Sequence, residues 1–84
     1  MCRFEKILTT IVTGLSDANL RFEDVCAVLE RLGFQKRVKG DHNIFTKQGV
    51  VEILNLQPIG NKAKAYQVKQ VRNLIVRYRL GVKE

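Results

Sequence analysis

Phe34-Gln35-Lys36-Arg37-Val38-Lys39-Gly40-Asp41-His42-Asn43-Ile44-Phe45 is the stretch that decides the fold. Apolar residues stand at both ends of it, Phe34 before and Ile44 and Phe45 after, and Gly40-Asp41 is a tight-turn dipeptide in between. The layout predicts two short strands, residues 34–39 and 42–46, joined at that turn. On the first strand Phe34 and Val38 share one face, and Gln35, Arg37 and Lys39 share the other. Lys36 falls on the apolar side, from which its long stem lets the ammonium reach the edge. The only histidine, His42, sits two positions after Gly40 and just behind Lys36, Arg37 and Lys39. Cations and one titratable ring around a tight turn point to an anionic partner, RNA first among them.

Working outward, Lys47-Gln48-Gly49 reads as a second turn. Val50 to Gln57 reads as a third and most apolar strand, ended by Pro58, with Ile59-Gly60-Asn61 as a loop. From Ala63 or Ala65 to Arg79, Val68, Val71, Leu74, Ile75 and Tyr78 recur at helical spacing, and Lys69, Arg72, Arg77 and Arg79 occupy the other face. Gly81 stops that helix. Upstream, Phe22, Val25, Cys26, Leu29 and Leu32 form the stripe of a helix over residues 22–32. Glu23 and Asp24 suit its first turn, Arg31 its last, and Gly33 its end. Residues 16–21 read as a polar connection. Phe4, Ile7, Leu8, Ile11, Val12 and Leu15 stripe a first helix, which Thr9, Thr10 and Thr13 make dependent on packing. A core-packing helix is the simpler reading of it and a dimerisation helix the sharper one. The order predicts an α+β fold: a three-stranded antiparallel sheet with two flanking helices on one face and the other face left partly open.

The bulk numbers fit one domain over residues 1–84, with residues 1–15 as an N-terminal helical extension. Fifteen Lys and Arg against eight Asp and Glu give a net charge of +7. Such a bias favours nucleic acid, an acidic protein or a membrane surface as partner, against the bland reading of a solvated basic surface. The first residues lack a signal-peptide pattern and no apolar run has membrane-spanning length, so a soluble, cytoplasmic chain without a membrane partner is expected. Cys2 and Cys26 form no CxxC pair and, with one distant histidine, make no tetrahedral metal set. Cys26, on an apolar stripe, reads as a reduced core thiol, and Cys2 carries no signal. No GxGxxG, Walker, HExxH, GxSxG or paired-carboxylate pattern occurs, which disfavours nucleotide-driven, zinc and serine-nucleophile chemistry. No metal or other cofactor is expected.

His42 is a candidate general acid or base, with a surface histidine as the plainer alternative. Gly40 allows a positive φ and close approach of a phosphate. Lys36, Arg37 and Lys39 are candidates for phosphate oxygens, against a merely solvated strand face. Lys62 and Lys64, just ahead of the last helix, would suit a phosphate at its N-terminus, although lysines at helix starts are common on surfaces. Asp41 can serve its own turn. Tyr66 and Tyr78 fall on the last helix, so no aromatic base-stacking platform on the strands is expected.

Leu29-Glu30-Arg31-Leu32-Gly33-Phe34 followed by Arg37-Val38-Lys39-Gly40-Asp41-His42-Asn43-Ile44-Phe45 resembles the HicA toxins of bacterial type II toxin–antitoxin pairs. In that pattern a Leu-Gly-Phe closes a helix, a basic strand follows, and Gly-Ser/Asp-His precedes an aromatic three residues on. The resemblance covers residues 22–80. It implies a double-stranded-RNA-binding-domain-like α-β-β-β-α core, an mRNA interferase with a single catalytic histidine, and a HicB antitoxin that blocks the site. The matching residues are His42 and Gly40. Asn43 stands where many members have a second histidine, and Asp41 where many have serine. The function so implied is a metal-independent endoribonuclease acting on mRNA. In it the RNA 2′-hydroxyl attacks the adjacent phosphorus, His42 moves a proton as base or as acid, and Lys36, Arg37 and Lys39 stabilise the phosphoryl oxygens. The rivals are a non-catalytic RNA-binding module on the same basic surface and a regulator that binds an acidic protein.

Overall fold

The structure, a computed structural model, describes residues 3–81. Cys2 lies outside the described residues. The chain runs α1 (Arg3–Thr13), a short 3-10 turn (Asp17–Asn19), α2 (Phe22–Arg31), β1 (Gln35–Lys39), β2 (His42–Lys47), β3 (Val50–Leu56), β4 (Pro58–Ile59), β5 (Lys62–Ala63) and α3 (Ala65–Tyr78). It is an α+β fold around a three-stranded antiparallel sheet in the order β1-β2-β3. Lys39 pairs with His42, which leaves Gly40-Asp41 as a two-residue hairpin loop. Gly40 has φ +62° and Asp41 has no positive φ, the pattern of a type II′ turn, whose first central position favours glycine.

One face of this sheet makes the core. Phe45 lies opposite Leu54, Asn43 opposite Leu56, and Phe45, Leu54 and Leu56 are all buried. They join Val25, Val28 and Leu29 of α2 and Val68, Val71 and Ile75 of α3 in a single apolar cluster. Each such side chain taken out of water contributes about 1.5–3 kcal/mol. α1 packs against both α2 and α3 and adds the fully buried Ile11. Its start is held by Arg3 Nη2, which donates to both Asp24 carboxylate oxygens at 2.8 and 3.0 Å, and by Arg31 stacked over the Phe4 ring.

The join between α2 and β1 follows from Gly33. With φ +101° it takes the left-handed position after the helix, so Gly33 N–H reaches the Glu30 carbonyl and Phe34 N–H the Leu29 carbonyl. Phe34 is thereby folded back into the core. Val38, expected on the buried face, is 61% exposed. All five residues of β1 are exposed, because the helices do not cover this edge of the sheet.

Other expectations need correction. The connection over residues 16–21 is not merely polar: Leu20 is buried, and its carbonyl accepts from Ala63 N–H. Ile59-Gly60-Asn61 is not an open loop, since β4 and β5 form a hairpin of two residues each. This hairpin ties down the start of α2: Asn61 C=O accepts from Phe22 N–H at 2.9 Å, and Arg21 bridges Lys62. A backbone carbonyl so serves one of the orphan N–H groups, where α2 has no side-chain cap. Leu15 falls beyond the end of α1 and is exposed, and Val12 is exposed at the rim of an apolar groove beside Val76 and Leu80. Arg72 does not belong to the outer face of α3. Its Nη1 donates to both Asp17 carboxylate oxygens, at 2.9 and 3.0 Å, and to the Ile11 carbonyl at 3.3 Å.

β3 has only one ladder partner, and α3 covers its other edge with side chains. At one end the buried Gln67 accepts from Gln57 N–H at 3.1 Å and donates to Asn55 C=O at 3.4 Å. At the other, the Tyr78 hydroxyl donates to Glu52 and accepts from Val51 N–H, and Arg77 pairs with Glu52 at 3.1 Å. The Tyr78 hydrogen bond above all, with a backbone hydrogen bond and the Arg77 charge, holds the Glu52 carboxyl below its usual range against some desolvation. None of the helices, among the described residues, is long and apolar enough to cross a membrane.

Arg72→Ala would leave Asp17 half-buried without its partner. The loss should fall between that of an exposed and of a buried pair, roughly 1–3 kcal/mol. The melting temperature should drop by roughly 4–8 °C for each kcal/mol, and a thermal melt reads it. An unchanged melt would show that the α1–α3 junction does not depend on this pair.

Candidate active site

The sheet register assigns the open face. Lys39 is opposite His42, Arg37 opposite Ile44, and Ile44 opposite Asn55. Residues directly opposite share a face, so Arg37, Lys39, His42, Ile44 and Asn55 lie together on the side away from the helices. Val51 and Ile53, four and two residues before Asn55, continue that face and are 87% and 66% exposed. The open face is therefore divided: cationic and polar at the turn end, apolar towards the start of β3.

His42 stands at the turn end, its side chain 46% exposed. Its ring is held on both sides. Nδ1 is 2.9 Å from Asn55 Oδ1, and Nε2 is 3.4 Å from Gln57 Nε2. Gln57 Nε2 in turn donates to Asp41 Oδ2 at 3.1 Å, and the other Asp41 oxygen is 3.7 Å from His42 Nε2. The ring thus has a defined orientation at the surface while an edge remains open to a ligand. Behind it, buried Gln67 fixes the backbone of the same two strand residues, Asn55 and Gln57, whose side chains meet the ring.

Of the cations singled out in the sequence, Arg37 and Lys39 share the histidine's face. Lys36 does not: it pairs with Phe45, whose side chain is buried on the helix-covered face. It lies near Cys26 instead. Burial pushes that thiol up to about 11, against the pull of the Lys36 charge and with a small push from Glu30. Cys26 is a buried, free and unreactive thiol. Gly40 has open space where a side chain would stand, so an approaching ligand meets bare backbone there. Lys64 directly precedes α3, the end of that helix whose Gln67 grips β3. Lys62 belongs to the β4–β5 hairpin and is bridged to Arg21. Asn43 is on the helix-covered face, opposite Val38 and Leu56.

Three residues of this arrangement were not singled out in the sequence: Asn55, Gln57 and Gln67. Asn55 and Gln57 alternate with Leu54 and Leu56, which is the signal for an outward polar pair. Gln67 falls four residues before Val71, a polar group on an apolar stripe. Among the described residues no three His, Cys, Asp or Glu side chains group as a metal-ligand set. Compared with protein-family models, curated proteins and solved structures, the chain finds no match. The site therefore has to be read from its own geometry.

Gln67→Met keeps the volume and removes the amide. It should leave Gln57 N–H and Asn55 C=O without partners, at a cost of about 1–3 kcal/mol. Amide hydrogen exchange at Gln57 should quicken well beyond the change in the core of β2. Equal acceleration everywhere would show global destabilisation and no local clamp.

Proposed function

We propose that the chain is an mRNA interferase of the HicA kind, the toxin of a type II toxin–antitoxin pair, acting on mRNA in the cytoplasm and neutralised by a HicB-like antitoxin. The observation that carries this reading is the placement of the lone His42. It is oriented by Asn55, exposed at the turn, and on the same sheet face as Arg37 and Lys39. The succession α2, three antiparallel strands, α3 is compatible with the double-stranded-RNA-binding-like core that the resemblance implies, with α1 added outside it.

The chemistry is a metal-independent transesterification. The RNA 2′-hydroxyl gives its proton to His42 as the O2′–P bond forms. The P–O5′ bond breaks, and the departing 5′ oxygen takes a proton through water, leaving a cyclic phosphate. Charge that gathers on the phosphoryl oxygens faces Arg37 and Lys39. The backbone at Gly40 adds an unobstructed approach. Lys36, on the far face, is left to longer-range attraction only. Lys64, at the start of α3, and Lys62, in the β4–β5 hairpin, add to the positive charge outside this face. The position of Asn43 also bears on the reading: a histidine there would not share a face with His42, so the single-histidine scheme does not need one. Val51 and Ile53 supply exposed apolar surface on the same face as the ring, towards the start of β3, which suits coverage by an antitoxin.

The first test compares wild type and His42→Ala on one RNA with a chelator present and thermal melts alongside. Cleavage should be lost while the melt is unchanged, because an exposed polar side chain contributes little packing. RNA binding without cleavage by the wild type would replace the enzyme by a non-catalytic RNA-binding module. The second test replaces Arg37 and Lys39 by alanine. Binding should weaken across RNA sequences, and the salt slope should fall by about 0.7 for each lost phosphate contact on a single strand. An unchanged slope would place the RNA elsewhere.

A further inference from the structure

We propose that Asp41, Gln57 and Asn55 form a polar chain that holds neutral His42 as its Nδ1–H tautomer, with Asn55 as the positioning residue and the Nε2 lone pair turned to the open face. The assignment follows by elimination from one fixed end. An ionised Asp41 can only accept hydrogen bonds. The Gln57 terminus 3.1 Å from Asp41 Oδ2 must therefore be its NH2 group, since the reversed amide would set oxygen against carboxylate. That same NH2 lies 3.4 Å from His42 Nε2, so Nε2 has to accept. A neutral ring carries one hydrogen, which leaves it on Nδ1. Nδ1 is 2.9 Å from the Asn55 side chain, so Asn55 must present its oxygen there. Reversing Asn55 would force hydrogen onto Nε2, donor against donor with Gln57. A free histidine in water favours the Nε2–H form, so the site imposes the other one.

The chemical consequence rests on the ribonuclease reading. The 3.4 Å contact between Gln57 and Nε2 is long for a hydrogen bond, so a substrate hydroxyl can displace it. That hydroxyl meets a lone pair and gives up its proton, which makes His42 the base of the attack. The imidazolium that results keeps Nδ1–H on Asn55 and gains an anionic neighbour, Asp41, whose Oδ1 is 3.7 Å from Nε2. The polarity of the chain begins at this carboxylate. A serine there could turn its hydroxyl either way and would fix nothing.

Nitrogen-15 NMR of the imidazole in the RNA-free protein, above the ring's titration, tests the tautomer without any cleavage assay. Nδ1 should resonate in the protonated range and Nε2 in the unprotonated range. Asn55→Asp, which keeps the acceptor, should preserve this pattern. Gln57→Leu, which removes the donor facing Nε2, should return the ring towards the Nε2–H form, with backbone spectra confirming the fold. A wild-type ring that is Nε2–H, or that does not respond to Gln57→Leu, overturns the proposal. On RNA, Asn55→Leu should lower kcat at least about tenfold, within the roughly 10²–10⁴-fold that acid–base catalysis supplies, with KM little changed. Asn55→Asp should restore it. If no RNA is cleaved by any form while the NMR pattern holds, the tautomer stands and the enzymatic reading fails.

Discussion

The unpaired edge of β3 is the constraint on which the rest of this structure depends. A strand with one ladder partner exposes a row of backbone donors and acceptors on its other side, and these need an answer. Here α3 answers with side chains instead of a fourth strand. The Gln67 amide takes one end and the Tyr78 hydroxyl, with Glu52 and Arg77, the other. Because α3 is seated this way, Arg72 can reach the turn after α1, and the first helix docks on the far side. The same seating fixes Asn55 and Gln57 at the end of β3. The surface histidine so inherits its geometry from a buried glutamine two layers away.

What could be read from the sequence was what local rules encode. Gly40-Asp41 between two short apolar-flanked runs gave the hairpin because a two-residue turn needs one residue of positive φ. Leu32-Gly33-Phe34 gave the end of α2 for a similar reason. The stripes of α2 and α3 followed from their period. What escaped was set by tertiary contact. Arg72 has the composition of a surface residue, and only its meeting with Asp17, distant in sequence, turns it inward. Leu20 and the β4–β5 hairpin are too short to show a period, and they are fixed by each other. Val38 obeys the alternation of its strand, yet the helices do not extend over it.

The site was legible in part for the same reason. His42, Gly40, Arg37 and Lys39 stand close in sequence around one turn, so proximity along the chain became proximity in space. The alternation places Lys36 on the apolar side of its strand, and the register agrees, but it was still grouped with Arg37 and Lys39 as a phosphate ligand because a run of cations looks like one patch. Asn55 comes from the third strand and Gln57 from the residue just after it, and only the register of β2 against β3 brings them to the ring. The divided character of the open face then becomes intelligible. On the proposed reading a polyanion would be held at the polar end, whereas a protein that also covered Val51 and Ile53 would take in the apolar end. The two would compete for a single surface without needing any change of shape.

β1 is the sheet's other edge: among the described residues no strand pairs with its outer side, and its five residues are all exposed. The charge of Lys36, Arg37 and Lys39 opposes the approach of a second such edge, since like strands repel. On the proposed reading a bound polyanion would neutralise part of that charge. Saturation with short oligonucleotides would then lower the barrier to strand-to-strand self-association, and colloidal behaviour would be coupled to ligand occupancy through one exposed strand.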